Sequence, residues 1–304
     1  MASNVKYLPT LMLIVSFVGY RAAFAAECPP LVTTPEITIG SIKHPSGLLW
    51  RVVRPGKAEN FLLGTMHVSD PRVTSIADIV ADELERSERF AMELLLDADV
   101  VFHLQAAMFY LDGRRLSDIA GRELFELAAG HLENYGIPAV IANTMKPWAV
   151  FTALSLPVEK EGLPLDLILM MRAQAAGKEL ISLETVEEQI AVFESIAEND
   201  QIEMLREVAC HYVHFQEDIE RMVQHYERRD LLALTRLSLR YVTDEKQAFL
   251  DKLLWQRNEK MVQRLEPLFD EGKVFVAVGA MHLPGERGIL RRLEQQGFVV
   301  EAIY

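Results

Sequence analysis

A short pattern that occurs twice, near opposite ends of the chain, constrains the fold more than any other feature. Gly64 to His67 close the apolar run 61–63, and Gly279 to His282 close the apolar run 274–278. Each copy is typical of a buried β-strand that ends in a glycine, with a histidine three residues further on. Ligands of α/β folds bind just outside the carboxyl ends of parallel strands. The pattern therefore predicts that His67 and His282 meet at one site.

The regions next to the two motifs indicate further strands and helices. Residues 48–53 and 60–63 are apolar and β-branched, and the turn signal Arg54-Pro55-Gly56-Lys57 between them predicts a hairpin. Apolar residues recur at helical spacing over 75–87, and 89–96 again has the character of a strand. This succession of strand, helix and strand predicts a βαβ unit of a parallel sheet.

The middle of the chain, from about 100 to 270, is predicted to be mainly helical. Residues 178–183 interrupt it as a short strand, after which Thr185 and Glu188 have the spacing of a helix capping box. The C-terminal region predicts a strand at 274–278, a helix opened by Pro284 at about 285–296 and a last strand at 298–303. The expected fold class is α/β: a mixed, largely parallel sheet formed from both chain ends, with a large helical insertion.

The N-terminus is typical of a secretory signal peptide. Lys6 precedes a mostly apolar stretch from Leu8 to Tyr20, and Ala23-Phe24-Ala25 matches a signal-peptidase site. The stretch is shorter than the roughly 18 residues expected of a spanning helix. We therefore expect residues 1–25 to be removed, leaving a single domain at 26–304 that is periplasmic or otherwise exported. An uncleaved membrane anchor is the alternative.

Composition excludes some classes of function. The 31 basic and 44 acidic residues give a formal net charge of −13, which argues against nucleic-acid binding because such proteins show a basic patch. Two cysteines, Cys28 and Cys210, are too few for a zinc site of four thiolates. An exported pair can form a disulfide, but the sequence leaves open whether these two meet, as it does the oligomeric state.

Glu93 is the third candidate for the site of the two histidines. It lies in the otherwise apolar run 89–95, and a buried carboxylate needs a metal or a basic partner. Two histidines and one carboxylate leave coordination positions for water and substrate and suit Mn, Fe, Co or Zn. The alternative is that Glu93 pairs with an arginine such as Arg257.

Other polar residues have weaker support. His211 and His214 share a helix face at a spacing that metal sites use, but neighbouring aromatic residues favour a packed helix. Asp70 is placed either to orient the imidazole of His67 or to cap a helix. No nucleophile motif of the G-x-S-x-G type occurs.

Five segments, taken in order, resemble the TraB/PrgY/GumN family, which includes the Tiki metalloproteases. They are FLLGTMHVSD at 61–70, AMELLLD at 91–97, GKELISLET at 177–185, WQRNEKM at 255–261 and VFVAVGAMHLPGERGIL at 274–290. The resemblance implies a divalent-metal site, with Mn or Co favoured, at His67, Glu93 and His282. The family's Arg-Asn pair falls on Arg257 and Asn258, as candidates for stabilising an oxyanion and for donating a hydrogen bond to substrate or to a metal ligand.

The residues and the resemblance together predict an exported, divalent-metal-dependent hydrolase, with a Tiki-like metallopeptidase acting on a peptide or protein as the first hypothesis. Glu93, Arg257 and Asn258 are its candidate catalytic residues. The alternative is a protein that binds or sequesters a peptide or polymer in the same pocket without turnover.

Overall fold

The computed structural model describes residues 28–33, 43–158, 162–243 and 246–304. The predicted signal peptide lies outside these residues, as does most of the segment that follows it. In the described part of the chain, no helix combines the length and the apolar character needed to cross a membrane.

A six-stranded sheet is the centre of the fold. Its strands are β1 (Leu49–Val53), β2 (Asn60–Thr65), β3 (Arg89–Met92), β4 (Glu179–Ser182), β5 (Val274–Gly279) and β6 (Val299–Ala302). Their spatial order is β4-β3-β5-β2-β1-β6. The first four in this order are mutually parallel, and β1 pairs antiparallel with both β2 and β6. The predicted mixed, largely parallel sheet built from both chain ends is thus confirmed.

Sixteen α-helices are described, most of them between β3 and β5. The first eight are α1 (Pro71–Thr74), α2 (Ile76–Ile79), α3 (Ala81–Arg86), α4 (Ala98–Met108), α5 (Leu116–Ile119), α6 (Arg122–Leu132), α7 (Ala139–Ala142) and α8 (Pro147–Leu154). The remaining eight are α9 (Leu165–Ala175), α10 (Val186–Glu194), α11 (Glu198–Cys210), α12 (Tyr212–Glu227), α13 (Leu231–Leu239), α14 (Gln247–Leu250), α15 (Gln256–Glu271) and α16 (Ile289–Gln295). A π-helical turn, Asp251–Trp255, joins α14 to α15.

The described chain has two large hydrophobic cores and a small third cluster formed by Leu239, Leu250 and Leu254. The larger core surrounds the sheet and includes residues of α9, α12, α13, α15 and α16. Every residue of β2 is buried, as expected of a parallel strand that is covered on both faces. The second core lies within the helical insertion, where α5, α6, α7, α8 and α11 pack together.

Several predicted boundaries need correction. The expected helix at 75–87 is two short helices, α2 and α3, because Val80, with φ −96° and ψ 12°, interrupts the helical path between them. The C-terminal helix begins at Ile289 and not near 285, since Gly285 has φ +86° and cannot continue a right-handed helix. The strand predicted at 89–96 ends at Met92.

The two strands of the predicted βαβ unit are not adjacent in the sheet. β2 and β3 are parallel but do not pair with each other, because β5 lies between them and pairs with both. β5, from the C-terminal part of the chain, therefore inserts between two N-terminal strands, which brings the carboxyl ends of β3, β5 and β2 side by side.

The two cysteines form a disulfide, Cys28–Cys210, which resolves a question that the sequence left open. It links the first described residues to the C-terminal end of α11. The N-terminal segment is thus attached to the helical insertion.

Candidate functional site

Polar side chains follow the carboxyl end of each of the four parallel strands. His67 follows β2, His282 follows β5, Glu93 follows β3 and Glu184 follows β4. Because the four strands are neighbours in the sheet, these side chains reach one edge. This is the edge at which ligands of α/β sheets bind.

Glu93 is buried, with 9% of its surface exposed. Its Oε1 accepts a hydrogen bond from the backbone N–H of Gly279 at 2.7 Å, and its Oε2 accepts one from Nη2 of Arg257 at 2.6 Å. Burial opposes ionisation of Glu93, but the positive charges that face it, including Arg257, hold the pKa of its carboxyl well below the usual range. The side chain is therefore a fixed carboxylate.

His282 is held in one tautomer by Asn258. The amide Nδ2 of Asn258 donates to the carbonyl oxygens of His282 and Arg287, at 3.1 and 3.0 Å. The amide oxygen therefore faces Nδ1 of His282 at 2.6 Å and accepts its proton, which leaves Nε2 with a lone pair. Burial lowers the pKa of His282 to about 4, so the ring is neutral.

Two electron-rich atoms consequently face each other at this edge. Nε2 of His282 lies 3.7 Å from Oε1 of Glu93. Neither atom carries a proton in the states just described, so their lone pairs repel each other unless a proton or a cation lies between them. A divalent cation fits this pair of donors by its charge and by its preference for imidazole and carboxylate ligands.

His67 is oriented by an aspartate from α9. Its Nδ1 lies 2.8 Å from Oδ2 of Asp166, and the hydroxyl of Thr65 donates to the other oxygen of the same carboxylate. Desolvation opposes protonation of His67, but the charge and hydrogen bond of Asp166 outweigh it and raise the pKa to about 9. The ring is 57% exposed, so the site is accessible from outside.

Gly279 marks the point around which the three predicted metal ligands converge. A Cβ atom built on this glycine would lie 3.3 Å from Oε1 of Glu93, 3.6 Å from Cδ2 of His282 and 4.0 Å from Nε2 of His67. Across the described ranges, no three His, Cys, Asp or Glu side chains stand in a ready ligating arrangement. The three residues are thus brought together, but His67 would have to approach the other two to share an ion.

Arg257 is engaged differently from the sequence-based expectation. It donates to Glu184 through Nε at 2.8 Å and Nη2 at 2.6 Å, to the carbonyl oxygen of Leu253 through Nη1 at 3.0 Å, and to Glu93. The alternative weighed from the sequence, a Glu93–Arg257 pair, is present together with the convergent histidines. In this arrangement Arg257 holds Glu93 in place, and Asn258 positions His282.

Sequence reasoning missed Asp166 and Glu184. Both are buried acids, at 5% and 2% exposure, and each follows a mostly apolar run in the sequence. An acid in an apolar run is the same sequence signal that indicates Glu93, and it would have indicated Asp166 and Glu184 as well.

Asp70 caps a helix, which is one of the two roles that the sequence allows. Its side chain accepts a hydrogen bond from the N–H of Arg72 at the start of α1.

The two histidines weighed as a weaker metal pair have structural partners. Nε2 of His211 contacts the carbonyl oxygen of Pro29 at 2.8 Å, and Nε2 of His214 contacts Arg240 at 3.1 Å. These contacts agree with a structural role for both residues, but His211 lies between α11 and α12, so the two histidines do not share a face of one helix.

Comparison with known proteins decides the family. The model of the TraB/PrgY/gumN family matches residues 48–302. The chain belongs to this family. The matched range contains the ends of all four parallel strands, and therefore every residue of the TraB/PrgY/gumN site described above.

Two curated proteins are similar to this TraB/PrgY/gumN member. Metalloprotease TIKI2 of Danio rerio is 23% identical over 86% of this chain, and Metalloprotease TIKI2 of Xenopus tropicalis is 26% identical over 84% of it. The alignments cover 62% and 60% of the length of those relatives. No solved structure matches the chain.

Proposed function

We propose that this protein is an exported, divalent-metal-dependent hydrolase that cleaves peptides or proteins. The observation that carries the proposal is the convergence around Gly279, where a buried carboxylate and an imidazole nitrogen face each other at 3.7 Å and a second imidazole lies close by. A proton or a cation between these two atoms would relieve their repulsion, and the second imidazole beside them favours a cation.

The residues of the site have separate roles in this proposal. His67, Glu93 and His282 would hold the ion, and Mn or Co is the expected metal. When bound, the metal supplies a Lewis acid that polarises a carbonyl group and lowers the pKa of water. Asp166 and Asn258 direct the Nε2 atoms of the two histidines towards the ion, as partners of metal-binding histidines generally do.

Arg257 and Glu184 support Glu93. The guanidinium bridges the two carboxylates, so Glu93 stays ionised and its Oε1 stays directed towards Gly279 and His282. A carboxylate held in this way is already in the state that a metal ligand requires.

The relatives support the choice of reaction. Both similar proteins are named metalloproteases, and the family model that matches this chain spans every residue of the site. The chain spans about 60% of the length of these relatives. Peptide hydrolysis is therefore proposed from the geometry of the site as well as from the similarity to them. Export is proposed from the signal sequence predicted at 1–25.

Metal binding by the protein without residues 1–25 tests the proposal. After chelation, Mn, Co or Zn is added, and metal content and thermal stability are measured for wild type, His67→Ala and His282→Ala. His103→Ala, at an exposed histidine of α4, is the matched control. We expect one metal per wild-type and control chain, its loss in both site variants, and metal-dependent cleavage of a peptide library by the wild type.

Two results would contradict the proposal. If His67→Ala and His282→Ala retain normal metal content, the convergent residues are not ligands. If the wild type binds peptides equally well with and without metal and cleaves none, the non-catalytic binding protein becomes the better account.

A further inference from the structure

The loop that follows His282 is joined to the site through the side chain of Asn258. Nδ2 of Asn258 donates to two carbonyl oxygens, that of His282 at 3.1 Å and that of Arg287 at 3.0 Å. Its Oδ1 lies 2.6 Å from Nδ1 of His282. Asn258 is fully buried. The orientation of this amide, and with it the tautomer of His282, thus depends on where the backbone of Arg287 lies.

The loop between His282 and Gly288 is tightly closed on itself. The N–H of Gly288 donates to the carbonyl oxygen of Gly285 at 3.0 Å. A Cβ atom on Gly288 would lie 2.2 Å from the carbonyl oxygen of Leu283, so the two ends of the loop are in contact. A displacement of Arg287 should therefore also move the backbone next to His282.

The side chain of Arg287 binds both ends of the π-helical turn Asp251–Trp255. Its Nη1 forms an ion pair with Oδ1 of Asp251. Its guanidinium carbon lies 5.8 Å from the ring centroid of Trp255, within the range of a cation–π interaction. Hydrogen bonds from Gln256 and Arg287 lower the pKa of Asp251 below its ordinary value, so this acceptor is ionised at neutral pH.

The same turn supports the two side chains that hold the proposed ligands. Arg257 and Asn258 lie in the first turn of α15, which begins directly after it. Nη1 of Arg257 donates to the carbonyl oxygen of Leu253, inside the π-helical turn, at 3.0 Å, while its Nη2 donates to Glu93. π-Helical turns are rare and occur frequently at functional sites. The position of this turn consequently affects both holding side chains.

We infer that Arg287 is a positioning residue of the proposed metal centre. Its ion pair with Asp251 fixes the loop that follows His282 against the turn that precedes Asn258. The amide of Asn258 therefore keeps Nδ1 of His282 protonated and Nε2 free for an ion. The inference rests on the proposed function for the presence of that ion, whereas the tautomer of His282 is measurable without metal.

The exposure of the ion pair separates this role from a contribution to folding. The side chains of Arg287 and Asp251 are 45% and 30% exposed, and ion pairs with this access to solvent add little stability. Loss of the pair should therefore be visible in the state of His282 and in metal affinity, and not in the thermal midpoint.

Arg287→Met and Asp251→Ala each remove the ion pair, and the double variant shows whether the two residues act as one unit. Arg114→Met is the matched control. Arg114 is an arginine of similar exposure, 52%, in the helical insertion, where it pairs with Asp112 and lies 4.3 Å from the ring centroid of Tyr110.

Three properties are measured on each protein without residues 1–25. Affinity for Mn is determined by competition with a chromogenic chelator, and the thermal midpoint is recorded without metal. NMR of the metal-free protein, labelled in its histidine rings, distinguishes protonated from unprotonated ring nitrogens. His282→Ala identifies the signals that belong to His282.

We expect Arg287→Met, Asp251→Ala and the double variant each to lose about tenfold in Mn affinity, the lower end of the range for groups that orient metal-binding histidines. Their His282 rings should show a mixture of tautomers. The wild type and Arg114→Met should show Nδ1 alone protonated, and the thermal midpoints of all these proteins should lie close together.

Three results would overturn the inference and leave the proposed function intact. One is wild-type Mn affinity and an unchanged His282 tautomer in Arg287→Met. Another is a loss of affinity without a change of tautomer, because the effect would then not pass through His282. The third is an equal loss of affinity in Arg114→Met.

The metal-free NMR separates the two proposals if the wild type binds no metal. A mixture of tautomers in Arg287→Met and Asp251→Ala, but not in Arg114→Met, would then reject the proposed function and support the positioning of His282 by Arg287. An unchanged tautomer in a protein that binds no metal would reject both.

Discussion

At the scale of single residues, the site depends on side chains that hold other side chains. Asp166 directs His67, Asn258 directs His282 and Arg257 directs Glu93. The other donor atoms of the held groups lie beside Gly279 or face one another: Nε2 of His67 and Oε1 of Glu93 lie beside the glycine, and Nε2 of His282 faces Oε1 of Glu93. Metal affinity should therefore respond to residues that never touch the ion.

Asp166→Asn tests this dependence. The substitution removes the charged acceptor of the Nδ1 proton of His67, and loss of such a partner typically weakens metal binding 10- to 100-fold. We expect a loss of about that size in a competition titration against a chromogenic chelator.

Asp218→Asn is the control for Asp166→Asn. Asp218 is an equally buried aspartate that pairs with Arg221 and Arg240 away from the site. Both variants should unfold at lower temperature, but only the change at Asp166 should alter metal affinity. Equal affinities would show that Asp166 has only a structural role.

The raised pKa of His67 predicts proton release on metal binding. With a pKa of about 9, the metal-free side chain is protonated at pH 7.5, whereas His282, with a pKa of about 4, is neutral. A ligand must be deprotonated to bind, so about one proton should be released per metal, and affinity should rise with pH up to about 9. Calorimetry in buffers of different ionisation enthalpy measures the number.

Asp166→Asn is the comparison variant for proton release, because the pKa of His67 should fall in it and fewer protons should be released on metal binding.

The raised pKa of His67 also has a consequence for the stability of the metal-free protein. Protonated His67 stabilises the fold fully below its unfolded pKa of about 6.5, and this contribution is lost as the pH rises through about 9. A proton count of zero in the wild type would contradict the raised pKa.

At the scale of secondary-structure elements, the end of β5 is the centre of the site. Its last residue, Gly279, donates its N–H to Glu93 and has no side chain in the space between the three proposed ligands. The Cβ of any other residue would fill that space. The glycine is required by this close approach and not by its backbone angles, since its φ of −53° is open to all residues.

Gly279→Ala should therefore abolish metal binding with a small effect on folding. The added methyl group would contact Oε1 of Glu93 at 3.3 Å and occupy the position between the histidines. Metal content after dialysis and the thermal midpoint without metal are the two measurements. Gly130→Ala, in α6 with open space around it, is the control and should keep its metal. Normal metal content in Gly279→Ala would place the ion elsewhere.

At the scale of the whole molecule, the Cys28–Cys210 disulfide attaches the N-terminal segment to the helical insertion. The bond closes a loop with a sequence separation of 182 residues. Such cross-links stabilise mainly by restricting the unfolded chain. The disulfide lies on the helical insertion, whereas the site lies at the sheet edge, so stability and metal binding should be separable.

Replacement of both cysteines by serine should lower the free energy of unfolding by about 2–5 kcal/mol, measured by urea denaturation. Metal affinity should stay within about twofold of the wild type. The single Cys28→Ser and Cys210→Ser variants should match the double variant, because either change breaks the bond. Unfolding at the wild-type urea concentration would show that the disulfide adds no stability.

Local patterns in the sequence were sufficient for much of the architecture. The apolar runs predicted the hairpin, the strands at both chain ends and the capping box at Thr185 and Glu188. These features depend on residues within a few positions of one another, which is why they are readable without a structure. The interruption of the predicted helix at 75–87 was missed because it depends on the backbone angles of Val80 and not on apolar spacing.

The sequence by itself determined which residues could form the site: the repeated Gly-x-x-His motif and an acid in an apolar strand selected His67, His282 and Glu93. Only the tertiary structure decided that β5 inserts between β2 and β3, that Asp166 and Glu184 complete the site, and that Arg257 holds Glu93. These relationships join residues far apart in the chain. They depend on which buried faces and charges pack together, and this packing between distant segments cannot be predicted from patterns of neighbouring residues.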